Sequence, residues 1–177
     1  MDNNDLRITA DTDNSSDMLS PVAPLELRNA MGSFLTGVTI VTTRNGDGDP
    51  YGLTVNSFNS VSLDPPLVLW SLDHANDKLQ LFRHSAGFVV NVMGANATDM
   101  IWRFAKAETD RFDKTDWHWG PSGQPVLDDA IVSFECRLWA EYPGGDHAIF
   151  VGEVLNIVQT DGTPAGFFKG KLGAYDG

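Results

Sequence analysis

The sequence is poor in cysteine, in cations and in long apolar runs. Cys136 is its single cysteine, and 12 Lys and Arg residues stand against 24 Asp and Glu residues in 177. One cysteine excludes an internal disulfide and a multi-cysteine metal site, and it fits a reducing cytoplasm. The net charge of −12 argues against nucleic acid and anionic membranes as partners, because like charges repel. No segment approaches the roughly 20 apolar residues of a membrane helix, and the N-terminus lacks the pattern of a secretion signal. We therefore expect a cytoplasmic protein.

The common catalytic motifs are also missing. The sequence contains no GxSxG, no GxxxxGK[ST] and no GxGxxG between a strand and a helix, which argues against several hydrolase and nucleotide-binding classes. The four histidines show neither HExxH nor HxH spacing, so a metal site would need His and carboxylate ligands from distant segments. Cys136 follows Glu135 in an apolar stretch, and a buried thiol without a cationic neighbour stays protonated. We expect no metal and no cysteine nucleophile.

The chain does have enough apolar residues to build a core, at 42% hydrophobic. Residues 1–20 are the exception, because they are rich in Asp, Asn, Ser and Thr and carry almost nothing to bury. Such a composition is typical of a solvated tail. We expect a disordered tail over residues 1–20 and one domain over residues 21–177.

Most of the predicted elements are strands that are joined by short turns. Strands are expected at residues 38–43, 51–58, 67–72, 87–93, 130–142 and 147–160. Helices are expected at residues 25–35, where Gly37 ends the helix, and at residues 76–84 and 97–106, whereas residues 107–129 read as a loop. Hairpin-linked strands with three helices argue against a doubly wound parallel sheet. We predict a mainly β, antiparallel barrel with peripheral helices, whose closure would remove exposed strand edges.

One segment, TVNSFNSVSLDPP at residues 54–66, has more polar residues than a strand needs. Hydroxyl and backbone N–H groups on a rigid strand suit the edge of a flat heterocycle or the oxygens of a phosphate. The alternative is a polar strand end whose Ser and Asn side chains satisfy a turn. We expect Val55, Phe58, Val61 and Leu63 to anchor the segment in the core.

Two further polar segments follow. In SLDHANDKLQLF at residues 71–82, Asn76 or Asp77 is a candidate helix cap, and Lys78 and Arg83 are the cations that an anionic cofactor would need. The alternative is a capped surface helix. In GGDH at residues 144–147, the histidine could bond a substrate or titrate near neutral pH, or it could simply bond a backbone carbonyl.

Read together, these segments resemble the short-chain flavin reductases. The similarity is carried, in family order, by LRNAMGSFLTGVTIVTT, YGLTVNSFNSVSLDPPLVLWSL, GFVVNVM and GGDHAIFVGEV, and it extends from Leu25 to Lys171. It implies an FMN-binding split β-barrel, usually a homodimer with sites near the subunit interface. It also implies hydride transfer from NADH or NADPH to FMN or FAD. In many relatives the reduced flavin then serves a separate oxygenase, so the family supplies the reductase component of two-component flavin monooxygenases.

The resemblance also implies roles for individual residues. The residues that would line the flavin ring and its edge are Thr54, Val55, Asn56, Ser57, Ser60, Val61 and Ser62. Those that would approach the ribityl phosphate are Ser71, Leu72, Asp73, His74 and Lys78. Those that would border the phosphate or adenylate side are Phe104, Ala105, Arg111 and Phe112. His147 would lie near the nicotinamide and is the candidate catalytic residue.

The sequence departs from the family pattern in two places. Asp73 puts an acid where relatives often carry a Ser/Thr-rich or Lys/Asn-bearing phosphate segment, so Lys78 becomes the better cation candidate. Leu172 stands where relatives often have a Tyr near the flavin, and Tyr175 follows three residues later. Two alternatives stay open: a flavin carrier or electron-transfer protein without turnover, and a pyridoxamine-phosphate-oxidase-like enzyme. The second needs several basic residues for a substrate phosphate, and this chain is poor in cations.

Overall fold

The fold was taken from a computed structural model, which describes residues 20–106 and 110–175. The helices are α1 (Pro24–Met31), α2 (Leu79–His84) and α3 (Thr98–Ala105), with a 3-10 turn at Ala95–Ala97. The strands are β1 (Thr36–Gly37), β2 (Thr39–Arg44), β3 (Pro50–Val55), β4 (Asn59–Leu63), β5 (Pro66–Asp73), β6 (Gly87–Met93), β7 (Trp117–Trp119), β8 (Pro125–Leu127), β9 (Ala130–Gly144), β10 (His147–Gln159), β11 (Ala165–Phe168) and β12 (Lys171–Ala174). The tail predicted at residues 1–20 lies, apart from Ser20, outside the described residues.

A seven-stranded antiparallel sheet forms the body of the molecule. Its strand order is β3-β2-β6-β9-β10-β5-β4, and all its pairings are antiparallel. The prediction of a mainly β fold with peripheral helices is confirmed. The sheet is not closed by hydrogen bonds, however, because β3 and β4 stand at opposite ends of the order. The gap between these two edge strands is the open seam of a split barrel. Residues 56–58 connect the two edge strands in sequence.

Two apolar clusters fill the interior. The first surrounds Trp70, which stacks on Phe150 with ring centroids 4.9 Å apart, and Val55 and Phe58 pack against it. The second joins α3 to β2 and β11 and includes Phe104 and Ile101. The expectation that Val61 and Leu63 are core anchors is wrong, because Leu63 is 94% exposed and Val61 is 49% exposed. Strand β4 is an edge strand with a bulge between Ser60 and Ser62, so its outer side chains have no layer to pack on in a single chain.

The structure corrects several predicted elements. Helix α1 ends at Met31 rather than near Gly37, and Gly32 donates its N–H to Arg28. The predicted loop at residues 107–129 contains the β7–β8 hairpin, which packs Trp117 against the second cluster. The β2–β3 turn forms as expected, with Gly48 at a φ of +96°, a conformation that glycine adopts without strain. No helix in the described part of the chain is both long and apolar enough to cross a membrane.

Candidate functional site

The link between β3 and β4 is fastened to β5 by one serine. Ser57 Oγ accepts a hydrogen bond from the Ser71 N–H at 2.9 Å and donates to the Ser71 carbonyl at 3.3 Å. The polar segment at residues 54–57 is therefore held across the open seam of the barrel. Asn56 is exposed beside this bond, and its side chain has no hydrogen-bond partner among the described residues.

Helix α3 and strand β2 also hold the same segment. Thr54 Oγ1 donates to the Ile101 carbonyl at 2.7 Å, and Thr39 Oγ1 donates to the Val55 carbonyl at 3.0 Å. These bonds occupy the Thr54 hydroxyl and the Val55 carbonyl in the structure itself. The groups of this segment that remain open to a ligand are Asn56 and the hydroxyl-rich strand that follows it, on which Ser60 is exposed.

The stretch from Ser71 to Lys78 places its side chains differently from the sequence expectation. Leu72 is buried in the first cluster, so its side chain is not available to a ligand. Asp73 accepts the Ala75 N–H at 2.8 Å, and Asn76 accepts the Lys78 N–H at 2.9 Å. The predicted cap at Asn76 or Asp77 is wrong, because α2 starts at Leu79 without any side-chain cap. Asn76 instead closes a turn that precedes the helix.

Both cations that were predicted for a phosphate have acidic partners. Lys78 Nζ lies 3.0 Å from Asp77 Oδ2 in an exposed pair. Arg83 donates from Nε and Nη2 to the Glu141 carboxylate at 2.6–2.9 Å, which ties α2 to β9. The hydrogen bond from Arg83 lowers the pKa of Glu141, which also feels the charge of His74. Because exposed ion pairs are weak, Lys78 remains available to a ligand, whereas Arg83 is committed.

The turn before β10 brings a histidine next to the end of β5. His147 lies opposite Asp73 in the β5–β10 register, and the His74 N–H donates to the Asp146 carbonyl at 2.9 Å. The His147 Nδ1 and Asp146 Oδ1 atoms are 2.7 Å apart, and this bond lowers the pKa of Asp146. A carboxylate on Nδ1 leaves Nε2 as the ring atom that can meet a ligand. The His147 side chain is 42% exposed, so a ligand can approach the ring.

Phe104 and Arg111 both lie against Gly52 of β3. Phe104 is buried, and its ring meets Phe112 edge-on at 5.2 Å, whereas Ala105 is exposed. Arg111 donates from Nη1 to the Gly52 carbonyl at 2.6 Å and from Nη2 to the Lys106 carbonyl. Its Nε is buried without a partner among the described residues. Arg111 therefore links Lys106 to β3 and leaves its Nε donor without an acceptor among the described residues.

These contacts connect the segments that carry the predicted site residues, and we call the exposed face of these segments the joined surface. Ser57 and Ser71 connect the hydroxyl-rich segment to β5, and the His74–Asp146 bond connects β5 to the turn that carries His147. Thr54 and Arg111 connect the same surface to α3 and its following loop. The hydrogen-bonding partners could not be read from the sequence, because each bond joins segments that are 14 or more residues apart.

The other reactive groups do not belong to this surface. Cys136 is buried, and its burial together with the nearby Glu135 charge raises the pKa of the thiol to about 12, so the thiol is unreactive as expected.

Glu135 is a buried acid that the sequence did not distinguish from its neighbours. Burial pushes its pKa up, but hydrogen bonds from Ser122 and Asn156 outweigh that effect, and the pKa is lowered. Within residues 20–106 and 110–175, no three His, Cys, Asp or Glu side chains cluster as a metal site would require.

The sequence matches a known domain family over nearly its whole described length. A model of the "Flavin reductase like domain" matches residues 31–176. That range contains every one of the candidate site residues.

Curated relatives agree with this match. An FMN reductase (NADH) of Agrobacterium fabrum is 43% identical over 148 residues, which cover 84% of each chain. The reductase component of a flavin-dependent trigonelline monooxygenase from Acinetobacter baylyi is 38% identical over 145 residues. That alignment covers 82% of this chain but 47% of the relative, so the chain spans about half of that protein's length.

A solved structure has the same architecture. The NADH:FAD oxidoreductase of Streptomyces globisporus superposes with a TM-score of 0.82 at 34% identity. The superposition covers 93% of this chain and 95% of that chain. The same oxidoreductase has also been solved with NAD and FAD fragments.

Proposed function

Because the chain belongs to the flavin reductase-like family, we propose that it is an NAD(P)H-dependent flavin reductase that transfers a hydride from a nicotinamide to FMN or FAD. The observation that carries this proposal is the match over residues 31–176, which spans the whole joined surface. Relatives that are named NADH-dependent reductases of FMN and of FAD lie at 36–43% identity.

The free groups of the surface fit a flavin. The ring edge of a flavin carries both hydrogen-bond donors and acceptors, and Asn56 presents both kinds of group without a partner in the described structure. A bound flavin supplies the hydride acceptor, and the protein binds and orients it.

The segment at residues 54–57 is the wall on which we place the flavin ring. Thr54 and Ser57 are both hydrogen-bonded to backbone carbonyls of other elements, so the wall is rigid before any ligand arrives. A prearranged wall costs less conformational entropy on binding. Backbone N–H groups along it would stabilise negative charge that develops on the reduced ring.

The phosphate contacts are assigned to Ser71 and to residues 73–78. Lys78 is the cation in this assignment, since its pair with Asp77 is exposed and exchangeable. The Asp73 carboxylate accepts a hydrogen bond from the Ala75 N–H within the same loop, so it is already bonded locally. The remaining members of the assigned site border it: Ser60, Val61 and Ser62 on β4, and Phe104, Ala105 and Phe112 on the α3 side.

His147 is the residue that we assign to the nicotinamide. Its Nδ1 is engaged by Asp146, so Nε2 faces outward to bond the nicotinamide or to hold a proton. Hydride transfer requires the two rings to stack with the reacting atoms roughly 3–3.5 Å apart. Holding the nicotinamide in that position is the contribution that His147 makes.

We also propose that the protein is a homodimer. Several apolar side chains on β9 and β10 are exposed in the single chain: Trp139, Leu155, Ile157 and Val158. Helix α1 has no buried residue in the single chain, although Leu27 and Met31 lie on it. We take these exposed apolar side chains on the long strands and on α1 as parts of an interface. A second copy is the partner that covers it.

The proposed role in the cell is to supply reduced flavin to a separate oxygenase. The support is that relatives are named reductase components of monooxygenases. The cytoplasm is the proposed location, since a reductase needs a supply of reduced nicotinamide and the chain has one buried, reduced cysteine.

The test is a steady-state assay with each flavin and each nicotinamide, followed at the absorbance of the reduced nicotinamide. We expect oxidation that requires both protein and flavin. If the protein binds flavin but oxidises no nicotinamide with any flavin, it is a flavin carrier rather than a reductase. If it binds no flavin, both functions are refuted.

A further inference from the structure

A second groove, partly lined by α2, shares no residue with the candidate site. It has a volume of about 650 Å³, which is within the usual range for small-molecule sites. Its lining comes from the β2–β3 turn, from α2 and the residues after it, and from the loop before β8: Arg44 to Gly48, Gln80, Leu81, His84, Ser85, Ala86 and Gln124. We call it the hairpin groove.

A buried amide lies at the base of the hairpin groove. Gln124 is 3% exposed, and its Oε1 accepts the Arg44 N–H at 2.9 Å and the Thr43 hydroxyl at 3.2 Å. A backbone N–H can only donate, so the amide oxygen must face β2. The amide nitrogen donates to no residue that the structure describes. It is not fully enclosed by protein, so it can donate to an acceptor that binds in the groove.

The loop that carries Gln124 is rigidly held. The Gly120 N–H donates to the Gln124 carbonyl at 2.9 Å, and the Ser122 N–H donates to the buried Glu135 carboxylate at 2.8 Å. A side chain added at Gly120 would meet Glu135 Oε2 at 2.5 Å. These contacts fix the position of the amide before any ligand binds.

Two opposite charges line the groove without pairing to each other. Arg44 has its guanidinium 5.9 Å from the Trp119 ring and makes no ion pair with a described residue. Asp47 is exposed, and its carboxylate has no hydrogen-bond or ion-pair partner among the described residues. His84 Nδ1 bonds the Gln80 carbonyl at 2.7 Å, so Nε2 of the neutral ring is an acceptor. Leu81 supplies an apolar wall.

We propose that the hairpin groove binds a small zwitterionic amino acid. The ligand's carboxylate is bound by Arg44 and the Gln124 amide nitrogen, its ammonium group by Asp47 and His84, and its apolar side chain by Leu81. An anionic ligand would be repelled by Asp47, and a cationic ligand would be repelled by Arg44. A ligand that carries both charges can pair with both residues.

The experiment uses the full chain, labelled with nitrogen-15, and follows the Gln124 side-chain amide signals during ligand titration. L-Leucine is the probe, and the two matched ligands are 4-methylpentanoate, which lacks the ammonium group, and isopentylamine, which lacks the carboxylate. The variant Gln124→Glu assigns the signals, because they disappear from its spectrum. We expect a saturable shift with L-leucine and at least roughly tenfold weaker binding of either half-ligand, since a charge-assisted hydrogen bond contributes about 1.5–3 kcal/mol.

Substitutions at exposed positions complete the test without a risk to folding. Arg44→Gln and Asp47→Asn should each weaken L-leucine binding at least roughly tenfold, whereas Asp99→Asn on α3 should leave it unchanged. The proposal is overturned if L-leucine causes no saturable shift, if the half-ligands bind as well as L-leucine, or if both groove variants bind it like the unchanged protein. Flavin reduction is not needed for any of these readouts, so they are independent of the proposed function.

Discussion

His147 is the side chain on which the proposed chemistry depends most. Its ring is held through Nδ1 by Asp146, 2.7 Å away. We expect His147→Ala to lower kcat/KM for the nicotinamide by roughly tenfold or more, because a group that positions a reactant has a large effect on rate. The flavin dissociation constant should stay within about twofold.

The matched control for that variant is His118→Ala. His118 has the same kind of partner, Asp128, at 2.6 Å, and it is likewise exposed. It lies on β7, and its side chain bonds none of the candidate site residues. Steady-state kinetics and a flavin titration on both variants decide the question, and equal kinetics for His147→Ala and the unchanged protein would remove His147 from the site.

Ser57 is a second residue whose effect can be stated from its bonds. Ser57→Ala removes both bonds to the Ser71 backbone across the seam, so it should lower the free energy of unfolding by about 1 kcal/mol. Flavin affinity should fall as well, because residues 54–57 lose their attachment to β5. Ser33→Ala, at an exposed position outside the site, is the control. Chemical denaturation and flavin titration measure both effects, and an unchanged flavin affinity would argue against residues 54–57 as the flavin wall.

At the scale of elements, α2 is attached to the sheet by the Arg83–Glu141 pair. The side chains of both residues are about one-quarter to one-third exposed, and the bond lowers the pKa of Glu141. A carboxylate whose pKa is lowered in the folded state adds stability above its unfolded pKa. That stability is lost as the pH falls through the folded pKa.

Glu141→Gln should therefore destabilise the protein at pH 7 by about 1 kcal/mol or less, given the partial exposure. The difference from the unchanged protein should shrink as the pH falls below the normal glutamate pKa of about 4.3 and the wild-type carboxyl group protonates. Asp77→Asn, which breaks an exposed pair with Lys78, is the control and should have no measurable effect. A destabilisation by Glu141→Gln that is independent of pH would contradict the assigned role of the ion pair.

Much of the element order could be predicted from the sequence, because period and turn residues are local signals. The strand at Gly87–Met93 has the predicted bounds, and the turn at Asn45 and Gly48 forms where the glycines require it. The β7–β8 hairpin was missed because Gly120, Pro121 and Gly123 interrupt its pattern. Leu63 was misplaced because alternation shows which residues share a face but not whether another layer covers that face.

The site was harder to predict than the strands. Sequence motifs identified the candidate residues but not their hydrogen-bond partners. Arg83 was expected to bind a phosphate, and no local signal indicated that it would bond Glu141 and attach α2 to β9. Nor did the motifs indicate that Arg111 bonds the Gly52 and Lys106 carbonyls. Such pairings are set by the register of distant strands, which the sequence of one segment does not contain.

At the scale of the whole molecule, the exposed apolar surface on β9 and β10 predicts self-association. Ile157→Asp places a charge in the proposed interface, where burial of an unpaired carboxylate is costly. Light scattering should then report the 19.3 kDa mass of one chain instead of twice that mass. Trp102→Gln, at another exposed apolar position, should remain dimeric. An unchanged protein with the mass of one chain would refute the homodimer directly.

The most direct test of the central claim is a single anaerobic turnover of the unchanged protein. Protein is mixed first with FMN or FAD, then with NADH or NADPH, and the absorbance of the oxidised flavin is followed in time. The account predicts that at least one pair bleaches the flavin in a protein-dependent phase whose rate saturates with nicotinamide concentration. A flavin that binds and keeps its oxidised spectrum with both nicotinamides would contradict the assignment of this chain as a flavin reductase.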